Sequence, residues 1–378
     1  MDKIANPFIS VGYRGPRYFC DRREERNQLT QYMLDGVNVT LFSIRRIGKT
    51  GLIHHVFYPF RKSRKVACIY VDILSSNNLS DFTNQVATAV YNRFPPNNSL
   101  GKKIMNSFMQ FRPVISFDEL TGSPSLGLTL ETDAQKEKTI GQILNFLDNQ
   151  GIKVIIAIDE FQQILNYPEK NTEAILRTYI QQLKNTSFIF SGSNQRMMHE
   201  IFNSAKRPFF ASCSNMNLDF ISGNEYRKFI RKKFKENQRS IDDECLDFIC
   251  YWTKLHTFFV QHLCFTLFAQ NKSENGIEEA RKAAFSVLKL NESNFFQYKN
   301  LLTKAQWNLL CAIAGEEQVF KPQSKKFINK YNLGTPALVK RGLDALIKKE
   351  LVFYNTAIET PYYEVYDKYL MRWVQNLN

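Results

Sequence analysis

The residues best suited to chemistry lie in one short run, Ser43-Ile-Arg-Arg-Ile-Gly48-Lys49-Thr50. It departs at one position from the phosphate-loop pattern G-x-x-x-x-G-K-[ST], with Ser43 in place of the first glycine. Serine is small, so the loop is still expected to close. In such a loop the backbone N–H groups around Gly48, Lys49, Thr50 and Gly51 point at bound phosphates, and the dipole of the following helix adds attraction. Lys49 would reach the β and γ oxygens, and the Thr50 hydroxyl would ligate Mg2+. Ser43, Arg45, Arg46 and Ile47 complete the candidate loop. The competing reading, a chance Gly-Lys-Thr in a basic loop, is countered by context: a strand precedes the run and a helix follows it.

A nucleotide site needs acids at the end of a second buried strand. Val154-Ile-Ile-Ala-Ile-Asp159-Glu160 supplies them at the carboxyl edge expected to bind ligands in an α/β sheet. Asp159 would hold the Mg2+ shell, and Glu160 would orient and deprotonate an attacking water. Alone, an apolar run ending in Asp-Glu is an ordinary strand end; the loop at Thr50 gives it a partner. Ser191-Gly-Ser193-Asn194 ends the next strand. There Ser193 either senses the γ-phosphate or forms an ordinary polar turn.

The elements that must position these residues alternate. Short apolar runs at Val39–Ser43, Val66–Asp72, Lys153–Asp159 and Ser187–Ser191 fit strands buried on both faces. Between them, Phe82, Val86, Ala89 and Val90 share one helical face behind an N-cap at Ser80, and Ile175, Leu176, Tyr179, Ile180 and Leu183 share another. The pattern predicts right-handed βαβ units and a parallel sheet. Residues 95–132, rich in Pro and Gly, interrupt it as an insertion with a hairpin near Ser125–Glu131. After Ile221 strand signals stop and four helices follow, over Glu225–Glu236, Ile241–Trp252, Phe258–Gln270 and Ile277–Leu290. From about Leu301, short helices and then two strand-like runs, Leu351–Tyr354 and Tyr362–Tyr366, predict a winged helix-turn-helix. The expected domains are therefore 1–222, 223–292 and 293–378.

Composition bounds the partners. The 378 residues carry 50 Lys plus Arg against 36 Asp plus Glu, a net charge of +14, which favours polyanions. Seven scattered cysteines with no C-x-x-C pair signal neither a disulfide framework nor zinc, and the five histidines share no ligand spacing. No apolar run suits a secretory leader or a membrane span. A cytoplasmic protein without membrane contact is expected.

Beyond these readings, the chain resembles the archaeal-type ATPase family in the STAND/MNS branch of AAA+ proteins, along nearly its whole length. The resemblance is carried by Asn6-Pro-Phe8, by Phe19-Cys-Asp-Arg22-Arg-Glu24-Glu25 before the first strand, and by the Arg45-Arg46 form of the phosphate loop. Asp159-Glu160-Phe161, Gly192-Ser193, and Tyr363-Glu-Val-Tyr-Asp367 with Trp373 extend it. It implies an AAA+/ASCE P-loop sheet with a helical lid and a C-terminal winged helix, with ATP and Mg2+ as ligands. By the same resemblance the stretch from Phe19 to Arg22 lies against the adenine. The chain departs from the family twice. Pro208-Phe-Phe-Ala-Ser-Cys213 lacks the arginine that relatives carry there, and Lys254-Leu-His256-Thr257 stands where they often carry Gly-x-Pro. Both departures bear on hydrolysis more than on binding, and leave Arg196 and Arg207 as candidate charge-stabilising fingers.

In the C-terminal region, Pro322–Tyr331 and Thr335–Lys349 read as a helix pair joined through Asn332-Leu-Gly334. The second helix has an expected apolar face of Leu338, Val339, Leu343, Leu346 and Ile347. Its other face holds Lys340, Arg341, Lys348 and Lys349, suited to phosphates of duplex DNA. The basic runs Arg61–Lys65 and Arg227–Lys235 extend that expectation, while winged helices that bind proteins keep a protein partner open, as is a nucleotide-dependent oligomer. The leading expectation is an ATP-dependent switch that moves the winged helix on DNA or a partner. The alternative is a nucleotide-bound adaptor with little or no turnover. A small-molecule kinase is disfavoured, having no use for the winged helix.

Overall fold

The computed structural model describes residues 6–96, 99–109, 112–117, 122, 124–130, 132–355 and 360–377. It forms two compact units. One is Gly12–Leu218; the other is Asp219–Asn378 joined by the N-terminal segment ending at Val11.

The first unit runs α1 (Arg23–Asp35), β1 (Val39–Phe42), α2 (Lys49–Phe57), β2 (Val66–Asp72), α3 (Leu79–Arg93), α4 (Ser99–Phe108), β3 (Val114–Phe117), β4 (Pro124–Gly127), α5 (Asp133–Asp148), β5 (Lys153–Asp159), α6 (Thr172–Ile180), β6 (Thr186–Gly192), α7 (Gln195–Asn203) and β7 (Ser214–Asn217). Five strands make one sheet in the order β2-β5-β6-β1-β7, every pairing parallel. β1 and β6 are buried at every position, which their continuous apolar runs require. One face is covered by α3 and α5, whose Phe82, Val86, Ile140 and Leu147 pack with Phe188 and Phe190 of β6 in a single core. The α/β fold with a parallel central sheet is the expected one.

Local differences have local causes. α3 begins at Leu79, not behind Ser80: Asn78 is the cap, extended at φ −159°, with its side chain accepting from the Asp81 amide at 2.8 Å. The start moves because Leu79 is itself a core residue. The inserted hairpin pairs Val114–Phe117 with Pro124–Gly127, earlier than expected. β4 is the strand that docks: Leu126 exchanges both backbone bonds with the Thr88 hydroxyl of α3, at 2.9 and 3.2 Å. The polar strand β7 is absent from the sequence-based expectation. It pairs with β1 at the sheet edge and buries only Met216, so it carries no apolar run.

The second unit comprises α8 (Gly223–Glu236), β8 (Ser240–Ile241), α9 (Asp243–Thr253), α10 (Thr257–Ala269), β9 (Glu274–Asn275), α11 (Ile277–Leu301), α12 (Lys304–Glu316), α13 (Lys325–Tyr331), α14 (Pro336–Lys348), β10 (Val352–Asn355), β11 (Tyr362–Val365) and α15 (Lys368–Leu377). The minimal parallel pair β8 and β9 corrects the expectation of helices alone between Ile221 and Leu290. The N-terminal segment belongs here because Phe8 is buried among the rings of Phe229, Phe234 and Phe268. α11 is one continuous helix running past its expected end at Leu290 and across residue 293.

From α12 onward the unit is a winged helix: α14 packs on α12, β10 pairs antiparallel with β11, and Val319 and Tyr363 exchange backbone bonds of 2.9 Å. Residues 356–359 of the expected turn lie outside the described residues. Glu317 ties the two halves of the unit, pairing with Lys254 after α9 and with Arg372 of α15, whose guanidinium also caps the Tyr251 and Trp252 carbonyls at 3.0 Å. The α14 cap is as expected, Thr335 accepting from the Leu338 amide, and Val339, Leu343 and Leu346 are buried. Leu338 is not. At about 100° per residue it sits a third of a turn from Val339, and it is 45% exposed. Among the described residues no helix is long and apolar enough to cross a membrane, and all seven cysteines are free thiols.

Candidate nucleotide site

Strand order assembles the site. β6 lies between β1, which feeds the loop, and β5, which carries the acids, so the residue after β6 falls between the two. The loop closes without its first glycine for a conformational reason. Its left-handed positions are Arg46, at φ 63°, and Gly48, at φ 105°; Ser43 needs no positive φ. Ser43 instead holds the lysine: the Lys49 ammonium donates to the Ser43 carbonyl, the Ser43 hydroxyl and the Ile44 carbonyl at 3.2–3.3 Å. Burial lowers the Lys49 pKa to about 8, against the opposing pull of Asp159 and Glu160.

Thr50 and Asp159, 109 residues apart, meet directly, the Thr50 hydroxyl donating to Asp159 Oδ2 at 2.6 Å. Asp159 is buried and accepts the Glu160 amide on Oδ1 at 3.1 Å. Glu160 sits at φ 55°, a position strained for a residue with a Cβ, and turns the chain from β5 into the 3-10 segment Phe161–Asn166. Ser193 donates to Glu160 Oε2 at 2.7 Å and accepts from Arg45 Nε at 3.1 Å, so the residue after β6 bridges loop and acid.

The remaining predicted residues stand around this centre. Arg22, buried at φ 65°, pairs with Glu25 at 2.7 Å and reaches the Ile47 carbonyl at 3.5 Å from outside the loop. Ile47 is a core side chain and offers the site its backbone alone; Arg46 is exposed. Phe19 stacks on His55 of α2 at 4.1 Å, and its ring lies where a Cβ at Gly51 would come within 3.5 Å of it. Of the two finger candidates, Arg207 is paired with Glu173 at 2.8 Å and with Glu200 at 3.6 Å.

The donors fit the implied ligands. A hydroxyl and a carboxylate are the hard oxygen set that Mg2+ takes from protein, with phosphates and waters completing it. A buried ammonium at the mouth of a helix N-terminus suits polyphosphate.

A family described as an ATPase domain predominantly from Archaea matches residues 19–255. The chain belongs to this ATPase family. A probable winged helix domain matches residues 293–376. Among solved structures, a Walker-type ATPase of Pyrococcus abyssi is similar at TM-score 0.66 and 14% identity, over 98% of this chain and 99% of that one. The ORC2 protein of Aeropyrum pernix, in ADPNP-ADP complexes, gives 0.57 and 14% over 99% and 98%. The ORC1 protein of the same organism, in complex with DNA, gives 0.51 and 14% over 96% and 94%. At such identities these likenesses speak to fold. No curated protein matches the sequence.

Three residues beside this candidate site carry no motif in the sequence. Tyr70 of β2 donates to Asp159 Oδ2 at 2.8 Å. Burial raises its pKa far above the usual phenol range, with Asp159 adding to the rise. Gln162 donates to Glu160 Oε2 at 2.5 Å. Asp72, the register partner of Asp159, has its pKa raised mainly by burial, with Asp159 and Glu160 adding and the Leu74 amide opposing. The available signal is the β2 burial pattern. Ala67, Ile69 and Val71 face the core, which sends Tyr70 and Asp72 to the other face, beside Asp159.

Proposed function

We propose that this member of the ATPase family is a Mg2+-dependent ATP hydrolase used as a switch, its nucleotide state moving the winged helix on duplex DNA. The observation that carries the reading is the Thr50–Asp159 bond of 2.6 Å, which joins loop and acid strand at one point. Thr50 and Asp159 would hold Mg2+, which, when bound, neutralises charge on the β and γ oxygens. Lys49 would turn from the Ser43 and Ile44 oxygens to the phosphates. Gly48, Thr50 and Gly51 amides would cradle them, with Arg45, Arg46 and Ser193 near the γ end and the Phe19–Arg22 stretch toward the base. Glu160 would accept the proton of the attacking water.

The test is steady-state phosphate release and ATP binding by the parent, Lys49→Ala and Glu160→Gln, with and without duplex DNA at two salt concentrations. Lys49→Ala is expected to lose ATP binding. Glu160→Gln keeps binding and loses turnover by about 10²–10⁴-fold. ATP binding by Lys49→Ala equal to the parent's would overturn the site.

One observation favours a second reading, a nucleotide-bound adaptor with little turnover. Arg207 is held by Glu173 and Glu200, and no arginine follows it before Cys213. Protein purified with ADP or ATP bound, releasing no phosphate even with DNA, would select the adaptor.

A further inference from the structure

We infer that Tyr70 is a positioning residue for the magnesium-bound nucleotide, acting through Asp159. The inference rests on the nucleotide reading above and adds to it a residue that neither sequence motif contains.

The placement follows from register. Tyr70 of β2 stands opposite Ala157 of β5, and Asp72 opposite Asp159. Residues two apart on a strand share a face, so Tyr70, Ala157 and Asp159 lie on the same side of the sheet. Alanine at 157 presents only a methyl group, and the tyrosine extends past it to place its hydroxyl 2.8 Å from Asp159 Oδ2. From above, the His54 ring of α2 packs on the Tyr70 ring with centroids 4.5 Å apart. The ring is therefore held by a strand and a helix, and the hydroxyl is fixed with it.

Asp159 receives three donors from three elements: Thr50 at the start of α2, Tyr70 on β2 and the Glu160 amide after β5. A buried carboxylate needs such donors. They also fix the plane of the carboxylate. The Thr50 hydroxyl can give its proton to Asp159 while its lone pair faces a metal, so that bond belongs to the ligand site itself. Tyr70 is the side-chain donor that stands outside the loop. Without it Asp159 is held only by a hydroxyl of the phosphate loop and by the amide of its neighbour, and can turn away from the position that would support Mg2+. Partners that orient metal-holding groups in this way typically matter by about 10–100-fold in metal affinity.

Tyr70→Phe keeps the ring and its contact with His54 and removes only the donor. ADP affinity is measured by titration calorimetry for the parent and Tyr70→Phe, once with MgCl2 and once with EDTA. The parent is expected to bind ADP more tightly with Mg2+. Tyr70→Phe is expected to lose about tenfold of that tightening, while its affinity in EDTA stays within about twofold of the parent's. Equal Mg2+ responses in the two proteins overturn the inference and leave the nucleotide reading standing. Equal weakening with and without Mg2+ also overturns it, since Tyr70 would then serve packing. A parent that binds no ADP, or binds it without regard to Mg2+, overturns both.

Discussion

Two helices of the second unit carry runs of basic residues that look alike in sequence, and the fold uses them differently. On α8, Arg227 pairs with Asp247 and Arg231 with Asp243, both acids of α9. Lys228 pairs with Glu225 at 2.7 Å, and Lys233 with Glu236 at 3.2 Å. Lys340, Arg341 and Lys348 of α14 and Lys349 at its C-cap are all exposed, and among the described residues no ion pair engages them. The sequence suggests that the α8 run extends a DNA-binding surface; most of its charge is instead neutralised within the unit. Lys49 stands at a third extreme: a buried cation whose hydrogen bonds go to the oxygens of its own loop.

This contrast can be broken most directly on α14. Lys340→Glu combined with Arg341→Glu is expected to weaken duplex DNA binding by more than about tenfold at low salt. It should also flatten the plot of log affinity against log salt by about 0.9 for each phosphate that is no longer neutralised. Fluorescence anisotropy at several salt concentrations measures both, and an unchanged slope would exclude α14 from the interface.

The next effect concerns Lys49. With its pKa lowered to about 8 by burial, the side chain is charged below that pH and increasingly neutral above it. Phosphates favour the charged form, so above about pH 8 binding must take up a proton. ATP affinity should then be flat through neutrality and fall by up to about tenfold per pH unit as pH rises past 8. Affinity that stays constant to about pH 9.5 would contradict the buried cation.

The smallest effect is expected on α8. Arg231→Ala should leave DNA affinity within about twofold and cost about 0.2–1 kcal/mol of stability, the usual worth of an exposed pair. A tenfold loss of DNA affinity would erase the distinction between the two helices.

What can be read in the chain follows the range of the forces involved. β2 and β5 match the expected limits to the residue, β5 because it is buried along nearly its whole length and β2 because its alternate residues Ala67, Ile69 and Val71 face the core. β7 is an edge strand, as β2 is, but its sequence Ser-Asn-Met-Asn is polar and buries only Met216, so nothing in its pattern marks it. At the site, Lys49, Thr50, Asp159 and Glu160 are legible because phosphate and metal chemistry restricts residue type at fixed spacing. Tyr70 and Gln162 hydrogen-bond to Asp159 and Glu160, a task open to many side chains, and so leave no motif.

By itself, the sequence determined the phosphate loop and the acid strand, since each is a matter of adjacent residues: a helix N-terminus, a glycine at positive φ, a carboxylate where an apolar run stops. Tertiary structure alone decided what meets what. The order β2-β5-β6-β1 brings Ser193 between Arg45 and Glu160, and the β2–β5 register carries Tyr70 to Asp159. The packing of α9 beside α8 pairs Arg227 with Asp247 and Arg231 with Asp243, which composition leaves open. Hydrogen bonds and ion pairs act over a few ångströms, and only the folded chain fixes which distant residues come that close.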